Sequence, residues 1–156
     1  GQYNLMKRPS YPFRLLIILL ILTVIPIGTT HIGSIYLGSK NGILLGTNAF
    51  WEGVDLPGDL LEVLMIIKMP FDVPTEPTVK AYGKMIEERG GNSFMDYALP
   101  ESVIRFRQGF GRLIRTTYDE GIFIVMDDRI INKRYGISFS ESIPVQMQVF
   151  RHIDDI

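Results

Sequence analysis

Four apolar runs of strand length, none of which alternates with polar residues, constrain the fold of this chain most strongly. They cover residues 15–25, 43–45, 63–67 and 122–126. A strand that helices cover on both faces reads as continuous Ile, Leu and Val, whereas a half-exposed antiparallel strand alternates. The four runs therefore predict a mainly parallel β-sheet.

Two helices are predicted between these strands. One covers residues 78–88, follows Pro77 and ends at a Gly-Gly pair. The other covers residues 101–114, follows Pro100 and carries an apolar stripe at helical spacing. Strands that alternate with helices indicate an α/β domain in which helices flank the sheet.

Composition limits the classes of function. The chain has 156 residues, which is enough for one domain with a sizeable core. Its formal net charge is -1, so any attraction to nucleic acid has to be local. The absence of Cys excludes disulfides, thiol catalysis and Cys-ligated metal in this chain, and His31 and His152 are too far apart in sequence to suggest a metal site.

The first apolar run also invites a membrane interpretation. It is shorter than the roughly 20 residues of a membrane span, and no small-residue cleavage site follows it. Lys7, Arg8 and Arg14 precede it, as basic residues precede the apolar part of a secretory signal. A buried strand is the simpler interpretation, and membrane targeting stays open as an alternative.

A motif at the end of the second predicted helix carries phosphate-binding chemistry. Gln108, Arg112 and Arg115 are spaced four and three apart, so we expect them to share one helical face. Gly109 and Gly111 each weaken a helix by roughly 1 kcal/mol relative to Ala, which suggests the close approach of a backbone or a ligand. Because a guanidinium matches phosphate oxygens, the motif predicts contacts to a triphosphate. A solvated basic face is the alternative.

A second motif, residues 46–58, follows the second predicted strand. Ligands of open α/β sheets bind outside the carboxyl ends of the strands. There Gly46, Thr47 and Asn48 could offer backbone amides and polar side chains to a phosphate of nucleic acid or of a nucleotide.

The same motif continues with acidic residues. Glu52 and Asp55 could hold a ribose hydroxyl, a water molecule or a basic partner, and Gly53 permits a tight turn between them. The alternative is a turn and a short helix that Phe50 and Trp51 anchor in the core.

Three further patterns are assigned structural roles or rejected. Residues 33–40 nearly fit a phosphate loop, but their Lys and Ser are exchanged, so we reject that function. Asp127 follows the last predicted strand and is expected to cap or to pair with Arg129. Asp119 and Glu120 precede a strand and are interpreted as a turn.

Together these segments resemble the second motor lobe of superfamily two helicases, in particular the DinG-type branch of the XPD-like group. The resemblance rests on F-x-E-G-x-D-x-P-G at residues 50–58, within the family's motif V, and on Q-x-x-G-R-x-x-R at residues 108–115, its motif VI. It covers most of residues 42–143.

The resemblance implies a RecA-like fold and a role in an ATP-dependent DNA helicase. ATP with Mg would bind between this lobe and a first lobe that supplies the phosphate loop and the acidic magnesium residues. The implied roles are catalytic for Arg112, Arg115 and Gln108, nucleotide-binding for Glu52, Gly53, Asp55 and Gly111, and DNA-binding for Gly46, Thr47 and Asn48.

The resemblance also implies an organisation and a set of partners. Residues 42–143 would form the lobe, residues 1–41 an atypical lead-in that supplies a first strand, and residues 144–156 a tail. Partners would be the first lobe and single-stranded DNA in the cytoplasm, with no membrane and no metal cluster in this chain. The isolated chain should not hydrolyse ATP. There are two alternatives. The chain could be a non-catalytic module that binds nucleic acid or has a structural role, or its parent could be a 3′–5′ exonuclease of DinG type.

Overall fold

The strands form one parallel sheet. The structure, a computed structural model, describes residues 61–150 in full and the backbone of two earlier strands. The strands are β1 (Leu15–Leu19), β2 (Gly42–Gly46), β3 (Val63–Ile66) and β4 (Ile122–Val125), in the spatial order β2-β1-β3-β4. All three neighbouring pairs are parallel, which confirms the predicted sheet and the α/β class.

The register of the sheet aligns the ends of the strands. Leu19 pairs with both Gly46 and Ile66, and Ile66 pairs with Val125. These residues mark one border of the sheet, which we call the carboxyl edge. At the opposite border, the amino edge, Val63 pairs with Ile122.

Helix α1 (Pro77–Glu88) ends as the glycines predict. It begins one residue before the predicted start, with proline in its first turn, where a missing N–H does no harm. Beyond its end, Gly90 adopts φ 80°, and the N–H groups of Gly90 and Gly91 donate to the carbonyls of Glu87 and Ile86. These two hydrogen bonds, together with a glycine in the left-handed conformation, form the Schellman motif, which ends a helix.

Helix α2 (Leu99–Leu113) differs from its prediction at both ends. A π-helical turn at Phe94–Ala98 runs directly into it, so it starts two residues early and includes Pro100 in its first turn. It stops one residue early because Ile114 is extended, with φ -118° and ψ 99°.

The direction of α2 relative to the strands follows from two contacts. Just before its start, the Phe94 ring stacks on the Phe71 ring at 5.7 Å between centroids, and Phe71 lies beyond the carboxyl end of β3. At its end, the Leu113 side chain lies against Gly121, immediately before β4. Helix α2 therefore runs from the carboxyl edge of the sheet to the amino edge.

The core lies between α2 and the sheet, and two short helices, α3 (Arg129–Asn132) and α4 (Gly136–Ser140), close it. Gly136 is required at the start of α4, because an added Cβ would lie 2.0 Å from the Ile130 carbonyl oxygen. Val145 and Met147, in the predicted tail, also pack against the core. The buried apolar side chains of the described residues are Leu61, Val63, Leu64, Ile66, Met69, Leu99, Phe106, Phe110, Leu113, Phe139 and Ile143.

Several predictions fall partly or wholly outside the described residues. Strand β1 covers the first five residues of the apolar run 15–25. The remainder of that run, the rejected phosphate loop at 33–40, and Phe50 and Trp51 lie outside the described part of the chain. Within that part, no helix combines the length and the apolar character that a membrane crossing requires.

Candidate functional site

Gln108 and Arg112 lie one turn apart on the last part of α2. Gln108 is exposed and Arg112 is partly buried. Between them, an added Cβ on Gly111 would meet no atom of the described residues within 4 Å. The close approach that this glycine suggested is therefore not made by the described protein atoms, and the space beside Gly111 is open on their side.

Arg115 does not share the helical face of Gln108 and Arg112, so that prediction is wrong. Helix α2 ends at Leu113, and the chain turns back towards β4. The backbone N–H groups of Arg115 and Thr116 both donate to Asp119 Oδ2 at 2.7 Å, which holds the turn. The Arg115 side chain is exposed at this turn, next to the helix end.

Asp119 organises the loop that carries Arg115. The backbone N–H groups of Thr116 and Arg115 hold the pKa of this carboxyl below its ordinary value, because they stabilise the charged form. The sequence predicts a turn at Asp119, and the structure confirms it. The role of Asp119 in positioning Arg115 depends on the fold of this turn and could not be predicted from the spacing of the motif.

The motif at residues 108–115 and the start of the motif at residues 46–58 lie at different edges of the sheet. Arg112 and Arg115 lie at the amino edge, where α2 ends beside Gly121. Gly46 is the last residue of β2 and lies at the carboxyl edge. The predicted site residues Thr47, Asn48, Glu52, Gly53 and Asp55 lie outside the described part of the chain.

The loops at the carboxyl edge are joined by a buried acid. Asp127, 8% exposed, accepts a hydrogen bond from the Met69 N–H at 2.7 Å, and its carboxylate pairs with the Arg129 guanidinium at 2.5 Å. The predicted pairing of Asp127 with Arg129 is thus confirmed. Burial acts to raise the pKa of Asp127, but the hydrogen bonds from Arg129 and Met69 outweigh it and hold the pKa below its ordinary value.

Replacing Asp127 with Asn should lower the free energy of unfolding by about 1–3 kcal/mol near neutral pH, because the amide cannot accept all these bonds. A carboxyl whose pKa is lower in the folded state stabilises the fold above its unfolded pKa, and this contribution disappears as the pH falls through the folded pKa.

Urea unfolding at about pH 7 and about pH 3 tests this expectation. The difference between wild type and Asp127→Asn should shrink in acid. Asp128→Asn is the matched control, because Asp128 is exposed and next in sequence. A difference that is the same at both pH values would show that the carboxylate charge is not responsible.

A second ion pair at the carboxyl edge could not be found from the sequence. Arg105 donates to both oxygens of Asp72, at 2.6 and 3.0 Å, across a separation of 33 residues. The Arg129 guanidinium lies 5.4 Å from the centroid of the Phe71 ring, within the range of a cation–π contact. These contacts fix α2 and α3 to the loop after β3. Within residues 61–150 no three His, Asp or Glu side chains gather as metal ligands would.

Comparison with known proteins identifies the family. The helicase C-terminal domain family matches residues 30–146. The ATP-dependent DNA helicase DinG of Photobacterium profundum is 47% identical over 113 residues, which are 72% of this chain and 16% of that relative. The 3′-5′ exonuclease DinG of Bacillus subtilis is 46% identical over 106 residues, 68% of this chain and 11% of that relative.

A further relative has a similar identity and is matched over a similarly small part of its length. The ATP-dependent DNA helicase YoaA of Escherichia coli is 40% identical over 109 residues, 70% of this chain and 17% of that relative. The chain spans less than a fifth of the length of each of these three relatives. With motifs V and VI in place and a parallel α/β sheet, the chain belongs to the helicase C-terminal domain family of DinG- and YoaA-type DNA helicases.

Proposed function

We propose that this chain is the second motor lobe of an ATP-dependent DNA helicase of DinG type, with nucleotide at the amino edge of its sheet and single-stranded DNA at the carboxyl edge. One observation carries the proposal: α2 runs between the two edges and ends at the amino edge, with Arg112 in its last turn and Arg115 in the turn that follows. One rigid element thereby connects the two proposed sites.

At the amino edge, this lobe would complete a nucleotide site that a first lobe begins. The described residues offer cations at Arg112 and Arg115, an amide at Gln108 and open space beside Gly111. These groups fit phosphate oxygens, whereas no acidic cluster in residues 61–150 fits a magnesium ion. In this proposal the first lobe supplies the phosphate loop and the magnesium ligands. Arg112 and Arg115 would stabilise the charge that develops during phosphoryl transfer.

At the carboxyl edge, Gly46, Thr47 and Asn48 would contact the phosphates of single-stranded DNA. Residues 47–62 connect the carboxyl end of β2 to the amino end of β3. That connection would allow Glu52, Gly53 and Asp55 to contact the nucleotide while Thr47 contacts DNA, so that one motif serves both ligands.

The parent protein would be considerably longer, as its relatives are, and would act on DNA in the cytoplasm. In this proposal residues 42–143 form the lobe, residues 1–41 its lead-in and residues 144–156 its tail. The relative from Bacillus subtilis is named a 3′-5′ exonuclease, so a parent that digests DNA is the second candidate function.

ATP hydrolysis by separated lobes tests the proposal. This chain alone should hydrolyse no ATP, since it has no phosphate loop. Mixing it with the first lobe of the parent protein should raise the rate at least about 100-fold above either lobe alone, with further stimulation by single-stranded DNA. Lys84→Ala, which removes an exposed cation of α1, is the control and should leave that rate unchanged. Hydrolysis by this chain alone, or none by the parent protein, would contradict the proposal.

A further inference from the structure

An exposed lysine lies directly beyond the carboxyl end of β3. Strand β3 ends at Ile66, and Lys68 follows two residues later with an exposed side chain. The next residue, Met69, is 1% exposed, and its N–H donates to the buried Asp127 carboxylate. The backbone beside Lys68 is therefore held firmly while its ammonium group faces solvent.

The charges around this loop favour an anionic ligand at Lys68. Two acids of the carboxyl-edge loops are neutralised: Asp127, which holds the neighbouring Met69 N–H, pairs with Arg129, and Asp72, in the same loop as Lys68, pairs with Arg105. Within residues 61–150, Lys68 makes no ion pair.

One acid in the loop after β4 would repel an anionic ligand. Asp128 is exposed, and its Oδ2 accepts a hydrogen bond from the Asn132 side chain at 3.1 Å. No cation among residues 61–150 forms an ion pair with Asp128, so the loop after β3 is the more favourable of the two loops for a phosphate.

Lys68 also lies at the same edge of the sheet as the end of β2, where the proposed function places DNA. Strand β1 separates β2 from β3, so the ends of β2 and β3 are two strand spacings, about 10 Å, apart. A single strand bound at the carboxyl end of β2, beside Gly46, can therefore reach Lys68 after β3 with a nearby phosphate.

We propose that Lys68 binds a backbone phosphate of single-stranded DNA and that Asp127 is the residue that positions it, through the Met69 N–H. This inference rests on the proposed function and adds a contact that neither helicase motif contains. It assigns the Asp127–Arg129 pair a part in DNA binding in addition to its part in stability.

Equilibrium binding of a fluorescent oligothymidine by the complete parent protein, across a salt series, tests the proposal. Lys68→Ala should weaken binding about two- to fivefold at low salt. It should also reduce the slope of log K against log salt by about 0.7, the value for one phosphate contact on a single strand. Lys68→Arg should keep the slope. Lys84→Ala removes the same charge from α1 and should change neither quantity.

The positioning role has a separate readout. Asp127→Asn should weaken DNA binding when Lys68 is present. It should cause no further loss when Lys68 is already replaced by Ala, because both changes disrupt the same contact between Lys68 and a phosphate. If the losses of affinity from the two changes add in the double variant, Asp127 does not position Lys68 and contributes to stability alone. An unchanged slope and affinity for Lys68→Ala, with wild-type binding intact, would overturn the inference and leave the proposed function standing. Failure of the wild-type parent to bind the oligonucleotide would overturn both.

Discussion

Replacing Arg112 with Ala should reduce DNA-stimulated ATP hydrolysis by the complete parent protein by about 10³-fold, the lower end of the range for arginines that act on a transferring phosphoryl group. The effect should fall mainly on kcat, since the charge that the guanidinium balances develops in the transition state. Arg115→Ala should behave similarly. Arg112→Lys keeps the charge but loses the planar fork, and should recover only part of the rate.

The matched control for Arg112 is another arginine on the same helix. Arg107 is exposed on α2, five residues earlier, and its replacement by Ala makes the same change in net charge. It should leave the rate within about twofold of wild type, since an exposed charge contributes little. Equal rates for wild type and Arg112→Ala, with both proteins folded, would show that Arg112 does not act on the nucleotide.

Replacing Phe106 with Ala should destabilise the domain by about 3–5 kcal/mol, the usual cost of emptying a fully buried aromatic site. Phe106 is 0% exposed, and its ring meets Phe123 at 5.3 Å and Phe139 at 5.4 Å between centroids. These contacts join α2 to β4 and to α4, so the loss should extend across the core. The midpoint of urea unfolding measures the change.

Ile104→Ala provides the comparison within the same helix. Ile104 lies two residues before Phe106 but is 41% exposed. Its removal should cost less than about 1 kcal/mol, because little buried area is lost. Similar losses for the two variants would contradict the assignment of Phe106 to the centre of the core.

The sequence predicted most strands and helices well, because apolar runs and helix-ending glycines act through interactions between residues that are close in sequence. Continuous Ile, Leu and Val runs became parallel strands, and the Gly-Gly pair stopped α1 as predicted. The ends of α2 were less predictable, since proline is tolerated in a first helical turn and the chain reversal after Leu113 depends on Asp119. For that reason the shared face predicted for Arg112 and Arg115 was wrong.

Long-range contacts were beyond reach of the sequence. Met69 and Asp127 are 58 residues apart, and Asp72 and Arg105 are 33 apart, so no periodicity or spacing connects them. The same applies to the position of Lys68 beside a buried ion pair, which only the pairing of β3 with β4 brings about.

By itself, the sequence determined the α/β class, the parallel sheet and the helicase motifs, because hydrophobic runs, glycine stops and side-chain chemistry act over a few residues. Only the tertiary structure decided that the arginines of motif VI and the start of motif V lie at opposite edges of the sheet. The physical reason is that a helix joining parallel strands must run back across the sheet, which carries Arg112 away from the strand end at Gly46.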